Sequence, residues 1–182
     1  MNIRYRIEFF SNWHCGSGLA AGADVDALVV KDANGLPFVP GKTIKGLLRE
    51  AAEVLDPENP VLHRLFGQSG EVDISYVNGT RIGETFYGNA TLMEGKSIIA
   101  SELTPYLYQT FASTAIDERS GIAKDNTLRK IETVVPCTLE GDIRNVPEDG
   151  INLLSDAMQF IKRMGTGRNR GYGRCRITMI KG

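Results

Sequence analysis

The chain has 182 residues, of which 42% are hydrophobic, and its formal net charge is −1. This length is typical of one domain with a sizeable hydrophobic core, and the near-neutral charge excludes a general positive field that would attract nucleic acid. Three widely spaced cysteines support neither a disulfide framework nor a structural zinc site, and they indicate a reducing compartment. We therefore expect a cytoplasmic protein with no signal peptide, no membrane-spanning segment and no membrane partner.

The first half of the chain predicts a strand, a loop, a hairpin and a helix. Apolar and polar side chains alternate in residues 2–10, which predicts a half-buried strand. A glycine-rich loop follows, and two short apolar runs around a turn at residues 32–35 predict a hairpin. Apolar residues at helical spacing then predict a helix over residues 43–55.

The second half predicts two helices and three strands around a polar stretch. Without that stretch the order is β-α-β-β-α-β, the ferredoxin-like pattern that RNA-recognition domains (RRMs) share. We therefore predict an α+β fold in a single domain, residues 1–182, whose ferredoxin-like or RRM-like core carries a projecting insertion. The predicted elements are a short helix at 61–66, a strand at 83–93, the irregular insertion at 94–130, a strand at 131–143, a helix at 150–164, a glycine-rich loop at 165–173 and a strand at 174–180.

Positive charge is concentrated at the start of the helix predicted over residues 43–55. A helix N-terminus attracts phosphate through its N–H groups and its dipole, but cations there are equally typical of a solvated helix face. A Walker-type nucleotide loop is disfavoured, because five residues rather than four separate Gly35 from the Gly-Lys-Thr triplet at residues 41–43. The polar side chains of this helix start are Lys42, Thr43, Lys45 and Arg49.

The second concentration of positive charge is the glycine-rich loop at residues 165–173. Glycines let the backbone approach a ligand closely, and arginines offer forked donors to phosphate. We favour contact with an RNA backbone over a plain helix-to-strand turn, because turns rarely need four glycines. The residues predicted to make this contact are Gly165, Gly167, Arg168, Arg170 and Gly171.

Two candidate catalytic features lie in the first loops. Asp24 and Asp26 are two residues apart, and paired carboxylates can hold a divalent metal or act as a base toward a ribose 2′-hydroxyl. His14, one of two histidines, can act in acid–base catalysis or be a hydrogen-bonded structural residue. Residue type alone does not decide between these alternatives.

Four segments, spread over nearly the whole length, match a known family pattern. They are the His-x-Gly-x-Gly loop at 14–18, Asp26 with VVKD and GLPFVPGKTIKGLLR within 29–49, AIDERSG at 115–121 leading to Glu132 and VVP at 134–136, and the terminal glycine-rich loop. With these segments the chain resembles the RAMP superfamily of CRISPR-associated proteins, specifically the Cas7 group that includes the Csm3-type backbone subunits. The second segment is specific for the superfamily, and the third points to Cas7-type subunits.

This resemblance implies an RRM-like core that stacks with further copies into a filament along a CRISPR RNA (crRNA). The helix start and the glycine-rich loop would grip the guide, and the insertion would be a thumb, with Asp117 and Arg119 among its RNA contacts. Asp26 would be the catalytic residue that cleaves bound target RNA with Mg²⁺ or another divalent cation, and His14 would bind RNA. The implied partners are crRNA, complementary target RNA, Cas7-like copies, Cas10, a Cas5-like subunit and small subunits of a type III effector.

Two other functions stay open within the resemblance. A structural Cas7- or Cas5-like subunit would bind RNA without cleaving it, although the presence of Asp26 speaks against this. A Cas6-like endonuclease would mature the guide with His14 as general base, cutting repeat RNA alone and without a metal. The chain is shorter than many relatives and lacks the zinc-binding cysteines of some Cas7 branches, which leaves the effector subtype open.

Overall fold

Strand β1 (Ile3–Phe9) is an interior strand of the main sheet. Its side chains alternate as predicted, with every second residue from Ile3 to Phe9 buried. It pairs antiparallel with a strand on each side, so that Ile7 lies opposite Leu139 and Ile177. These three side chains are at most 2% exposed, and this face of the sheet therefore carries the core. The computed structural model of the chain describes residues 1–21, 24–67, 83–92 and 103–180.

Every pairing between the strands of the main sheet is antiparallel. Together with the helices described below, this sheet confirms the predicted mixed α+β class. In order across the sheet the strands are β2 (Phe38–Val39), β4 (Ala90–Leu92), β7 (Thr138–Arg144), β1 and β8 (Cys175–Ile180), and β3 (Phe86–Tyr87) also pairs with β7.

Three helices supply apolar side chains to the same core. They are α1 (Gly41–Leu55), α2 (Leu62–Phe66) and α3 (Ile151–Phe160). Ile44 and Leu48 on α1 and Leu154 on α3 are at most 1% exposed, and α1 contacts α3. No described helix is long and apolar enough to cross a membrane.

The predicted hairpin is present as a turn flanked by one antiparallel bridge, between Lys31 and Pro37. Asp32 closes it, because Oδ1 of Asp32 accepts the N–H groups of Asn34 and Leu36, both at 2.9 Å. The strand after the turn, β2, pairs with β4 rather than with residues 28–30, so the predicted pairing of the two apolar runs was wrong. Residues 28–30 bond instead to the loop after β1, where Val29 forms a bridge with Gly16.

A second sheet occupies part of the region that was predicted to be irregular. Strand β5 (Tyr108–Ser113) pairs antiparallel with β6 (Arg129–Val134). The prediction of irregular structure for residues 94–130 was therefore wrong at β5. Most side chains of β5 are exposed, so the strand has no burial periodicity that its sequence could reveal. Residues 94–102 of the predicted insertion lie outside the described residues.

The single long strand predicted over residues 131–143 is two strands in different sheets. Strand β6 ends at Val134 and β7 begins at Thr138, and Pro136 between them has no N–H to donate to a strand ladder. Phe9 N–H donates to the carbonyl oxygen of Cys137 at 3.0 Å. The chain therefore crosses from the second sheet to the main sheet at this proline.

Two other predicted elements are shorter than expected. The strand at 83–93 is interrupted between β3 and β4, where the Oδ1 of Asn89 accepts the N–H of Gly41 at 2.8 Å. Helix α3 ends at Phe160 instead of residue 164. Met164 N–H donates to the carbonyl oxygen of Gly173 at 3.0 Å, so pairing with the glycine-rich loop replaces the last helical turn.

Candidate RNA-binding site

Trp13 and His14, in the loop after β1, form the buried floor of the candidate site. Trp13 is 1% exposed, stacks on Phe9 with ring centroids 4.4 Å apart, and pairs its backbone with Val134 of β6. His14 is 3% exposed, and its Nδ1 lies 2.6 Å from the carbonyl oxygen of Glu132. The predicted RNA-binding histidine thus connects the loop after β1 to the second sheet.

The glycine-rich loop packs directly on this floor. Thr166 N–H donates to the carbonyl oxygen of His14 at 3.0 Å. A Cβ at Gly165, whose φ is +85°, would lie 2.3 Å from that same oxygen. At this position glycine is required for close approach to the protein's own backbone, which is a reason that sequence reasoning did not consider.

The arginines of the glycine-rich loop point away from the floor. Arg168 and Arg170 are exposed on a 3₁₀ turn, Arg168–Arg170, between Gly167 and Gly171, both of which have positive φ. Arg170 lines a cleft of about 650 Å³ with residues of the second sheet and the loop that joins its strands. The other lining residues are Ser113, Thr114, Ala115, Asn126, Thr127 and Arg129.

The start of α1 borders the same loop after β1. Burial raises the pKa of the Cys15 thiol, and a hydrogen bond with Thr43 and the charge of Lys42 partly offset that effect. Lys42 and Lys45 line a pocket of about 330 Å³ together with residues 83–87. Arg49, in contrast, pairs with Glu53 one turn further along α1 at 2.7 Å.

Asp26 is an exposed carboxylate anchored to the second sheet. Its backbone N–H donates to the carbonyl oxygen of Lys130 at 2.8 Å, and its Oδ2 accepts the N–H of Lys130 at 2.6 Å. Asp24 is also exposed, and its N–H donates to the carbonyl oxygen of Ala21 at 3.2 Å. In the described part of the chain, the Oδ1 of Asp26 has no protein donor.

Glu132 links these parts of the site, and sequence reasoning missed this role. Its carboxylate accepts the N–H of Val29 at 3.0 Å and pairs with the Nζ of Lys31 at 2.8 Å. The same Nζ lies 3.9 Å from the ring centroid of Tyr108, and burial followed by the Glu132 charge raises the pKa of Tyr108. An acidic residue directly before the buried end of a strand, at Thr133 and Val134, is the signal that could have indicated it.

The predicted thumb residues lie in the loop that joins β5 to β6. The Oδ1 of Asp117 accepts the N–H of Ser120 at 3.0 Å, the hydroxyl of Ser120 at 3.1 Å and the N–H of Arg119 at 3.1 Å, and these bonds hold the pKa of Asp117 below its ordinary value. Arg119 is exposed. Asp117 therefore orders its own turn, whereas Arg119 is oriented to solvent.

The structure thus brings most of the predicted residues to one region. His14 and Asp26 both bond to β6, Gly165 packs against the backbone of His14, and the start of α1 lies near Cys15, which follows His14 in the chain. Asp117 and Arg119 are separate from this cluster in the described contacts.

The match to known proteins extends over almost the whole chain. Residues 6–176 match the sequence profile of the RAMP superfamily. The chain belongs to this superfamily. This RAMP chain is 22% identical over 198 aligned positions to the Streptococcus thermophilus protein named CRISPR system Cms endoribonuclease Csm3, with 97% of this chain and 86% of that protein covered.

Two solved structures show the same fold as this RAMP chain. A chain of type III-B Cmr-beta bound to cognate target RNA superposes with a TM-score of 0.78 at 11% identity, covering 98% of this chain and 97% of that one. A chain of Cmr-beta in its apo state superposes with a TM-score of 0.72 at 9% identity, covering 100% and 98%.

Proposed function

We propose that this RAMP chain is a crRNA-binding backbone subunit of a type III CRISPR effector complex and cleaves bound target RNA through Asp26. The likeness to Csm3, which is named as an endoribonuclease, and to a type III-B chain in a complex with target RNA supports this proposal. Its partners are further Cas7-like copies, Cas10, a Cas5-like subunit and small subunits.

The arrangement of elements supports the finer parts of the proposed architecture. The strand order β4-β7-β1-β8, with α1 after β1 and α3 after β7, is compatible with a ferredoxin-like or RRM-like core. Residues 114–128, which are mostly exposed beyond the β5–β6 pair, are the proposed thumb. Asp117 would shape this thumb, and Arg119 would contact RNA.

The setting of Asp26 is the observation that carries the cleavage proposal. The bond from Lys130 N–H to Oδ2 fixes the carboxylate in place at the surface. Among the described residues no donor satisfies Oδ1, so this oxygen is available to a ribose 2′-hydroxyl or to a divalent cation. A fixed, exposed carboxylate is suited to orient a reacting group on a bound polymer.

A divalent cation fits this carboxylate if the RNA supplies most of its ligands. No group of three or more His, Cys, Asp or Glu side chains in the described residues is placed to hold a metal ion. Mg²⁺ is commonly held by one or two carboxylates together with substrate phosphates and water, so Asp26, with Asp24 nearby in sequence, suits a cation that arrives with the RNA. When bound, the cation would supply stabilisation of negative charge at the phosphate.

Four exposed or half-buried cations are proposed to hold the guide backbone. They lie on the start of α1 and on the glycine-rich loop, the two segments that contact the loop after β1. Removing one phosphate contact should weaken binding similarly for all RNA sequences. It should also lower the slope of log Kd against the logarithm of the salt concentration by about one unit. The four are Lys42, Lys45, Arg168 and Arg170.

A Cas6-like mechanism is less well supported by the position of His14. A general base must come within about 3 Å of the hydroxyl that it deprotonates. The His14 ring is 3% exposed, and one of its nitrogens is engaged by the Glu132 carbonyl oxygen. A purely structural subunit remains as the alternative, and it differs from our proposal only in the role of Asp26.

The experiment that tests the proposal compares wild type with Asp26→Asn in the assembled complex with guide, complementary RNA and Mg²⁺. Asparagine keeps an oxygen that can accept the Lys130 N–H but lacks the charge, so RNA binding should stay within about twofold while cleavage falls by about 100-fold or more. The matched control is Asp125→Asn, which changes an exposed carboxylate in the proposed thumb and should cleave normally. Binding without cleavage by wild type would favour the structural subunit, and metal-free cutting of repeat RNA alone would favour the Cas6-like enzyme.

A further inference from the structure

An exposed phenylalanine lies near two arginines just after the end of β1. Phe10 is 47% exposed, although the preceding Phe9 is 4% exposed in the core. The guanidinium carbons of Arg174 and Arg176 lie 5.8 and 5.7 Å from the centroid of the Phe10 ring. These three side chains, which we call the Phe10 patch, lie on the sheet face opposite the core, because Arg176 alternates with buried residues along β8.

The backbone fixes the parts of the Phe10 patch relative to one another. Phe10 N–H donates to the carbonyl oxygen of Arg174 at 2.8 Å, and Arg174 N–H donates to the Oγ of Ser11 at 3.0 Å. Arg176 is oriented by Glu8, whose carboxylate lies 2.8 Å from its Nη2. The backbone positions of Phe10 and Arg174 and the Arg176 guanidinium are therefore fixed by contacts within the chain.

Two of the three residues of the Phe10 patch belong to a positively charged segment of the chain. From residue 162 to residue 176 the chain has six lysines and arginines and no acidic residue. In the described part of the chain Arg174 has no carboxylate partner, so its charge is available to an anion. The patch also adjoins the glycine-rich loop, because Arg163 forms a bridge with Arg174 and donates from Nη1 to the carbonyl oxygen of Arg168 at 2.5 Å.

We propose that the Phe10 patch is a stacking site for an unpaired base of single-stranded RNA, whose phosphate is contacted by Arg174. Proteins that bind single strands combine aromatic platforms with a positive groove, and arginine adds cation–π attraction. An acidic peptide would pair with the arginine charges but would make no stacking contact with the exposed part of the Phe10 ring. This inference rests on the proposed RNA-binding function and extends it to a surface outside the glycine-rich loop.

The first test places a fluorophore in the Phe10 patch of the full chain. Phe10→Trp should be quenched by a 20-nucleotide oligouridine but not by an abasic RNA of the same length, because only the former has bases that can stack. The native Trp13 contributes a constant background, since it is buried against Phe9. The matched control is Tyr106→Trp at a side chain that is 77% exposed and has no guanidinium over its ring among the described residues, and it should not respond.

The second test measures affinity for the same two RNAs. Phe10→Ala should weaken binding of oligouridine by about 5- to 100-fold and leave binding of abasic RNA unchanged, the range expected for loss of one stacked base. Arg174→Ala should weaken binding of both RNAs. If Phe10→Ala lowers the melting temperature, Phe10→Leu keeps the apolar contact with the arginine stems, lacks the aromatic face and should show the same selective loss.

The outcomes separate this inference from the proposed function. If wild type binds neither RNA, both the stacking site and the proposed RNA-binding function are wrong. If wild type binds and Phe10→Ala and Phe10→Leu bind equally well, or lose affinity for both RNAs alike, the stacking site is wrong while RNA binding stands. Quenching of Phe10→Trp that grows with protein concentration in the absence of RNA would assign the Phe10 patch to contact between protein molecules and would also overturn it.

Discussion

The glycine-rich loop and the loop between β5 and β6 both carry predicted RNA contacts, yet they are held in opposite ways. The backbone of the glycine-rich loop packs on the backbone of His14. The His14 ring in turn bonds to Glu132, which is 118 residues away in sequence. Around Asp117, the carboxylate bonds to N–H groups two and three residues ahead, all of them exposed. The backbone of the glycine-rich loop is thus packed on the folded core, whereas the loop between β5 and β6 is a local turn.

This difference decides how a loss of RNA binding should be interpreted. A substitution in the buried floor changes the structure that carries Asp26 and the glycine-rich loop, so loss of binding there does not identify a contact. A substitution in the exposed loop leaves the core intact, and its effect on RNA is direct. The next experiments test whether the two regions differ in this way, in order of decreasing effect.

The largest effect is expected for Gly173→Ala in the glycine-rich loop. A Cβ at Gly173 would lie 1.9 Å from the carbonyl oxygen of Met164, in a backbone whose φ is +67°. We expect the free energy of unfolding to fall by at least about 3 kcal/mol, because the backbone itself must move. Equilibrium unfolding in urea measures this value.

The matched control for that change is Gly171→Ala in the same loop. Gly171 also has positive φ, at +89°, but a Cβ there meets nothing within 4 Å. Gly171→Ala should therefore lower the free energy of unfolding by only about 1–2 kcal/mol, because alanine is disfavoured in the left-handed conformation. Equal losses at the two positions would show that backbone packing does not hold the glycine-rich loop, and the contrast between the two regions would fail.

An intermediate effect is expected when the Glu132 carboxylate, which links β6 to Val29 and Lys31, is removed. Glu132→Ala leaves the Val29 N–H without its acceptor and Lys31 without its partner, which should cost about 1–3 kcal/mol of unfolding free energy. The control is Glu53→Ala, which breaks the exposed pair with Arg49 on α1 and should cost about 0.5 kcal/mol or less. Urea unfolding of both variants gives the comparison, and a Glu132 loss as small as that of Glu53 would contradict it.

The sequence predicts elements well where one face is buried and the other is not. Strand β1 and helix α1 were confirmed to within two residues because their apolar side chains recur at the periods of a strand and a helix. Strand β5 was missed because its side chains are mostly exposed, and β6 and β7 were joined because the alternation continues across Pro136. Periodicity reports burial, so it does not report which sheet a strand joins.

The candidate site was predictable as a set of residue types but not as an arrangement. The cations of α1 and the glycine-rich loop stand out by local composition alone. The anchoring of Asp26 by Lys130 spans 104 residues, and the bond of His14 to Glu132 spans 118. Such contacts depend on the pairing of distant strands, which no local pattern in one sequence encodes.

The smallest effect is expected at Asp117, where only a local turn depends on the carboxylate. The bonds from Ser120 and then Arg119 lower the pKa of Asp117, so its stabilisation of the turn is complete above the unfolded pKa of about 4 and is lost as the pH falls through the lower folded value. The amide of Ser120 should therefore lose hydrogen-exchange protection in acid, and in Asp117→Asn at every pH. Global unfolding should not change in either case, because the group is exposed.

Asp125→Asn is the control for this last experiment, since in the described structure Asp125 makes no hydrogen bond and its loss should leave the Ser120 amide protected. Protection that survives in Asp117→Asn would mean that packing rather than the carboxylate orders the turn. Loss of global stability in Asp117→Asn would mean that this loop is coupled to the core as the floor around His14 is. Either result would remove the distinction between the two regions, and RNA-binding defects in the proposed thumb would then be as ambiguous as those at the glycine-rich loop.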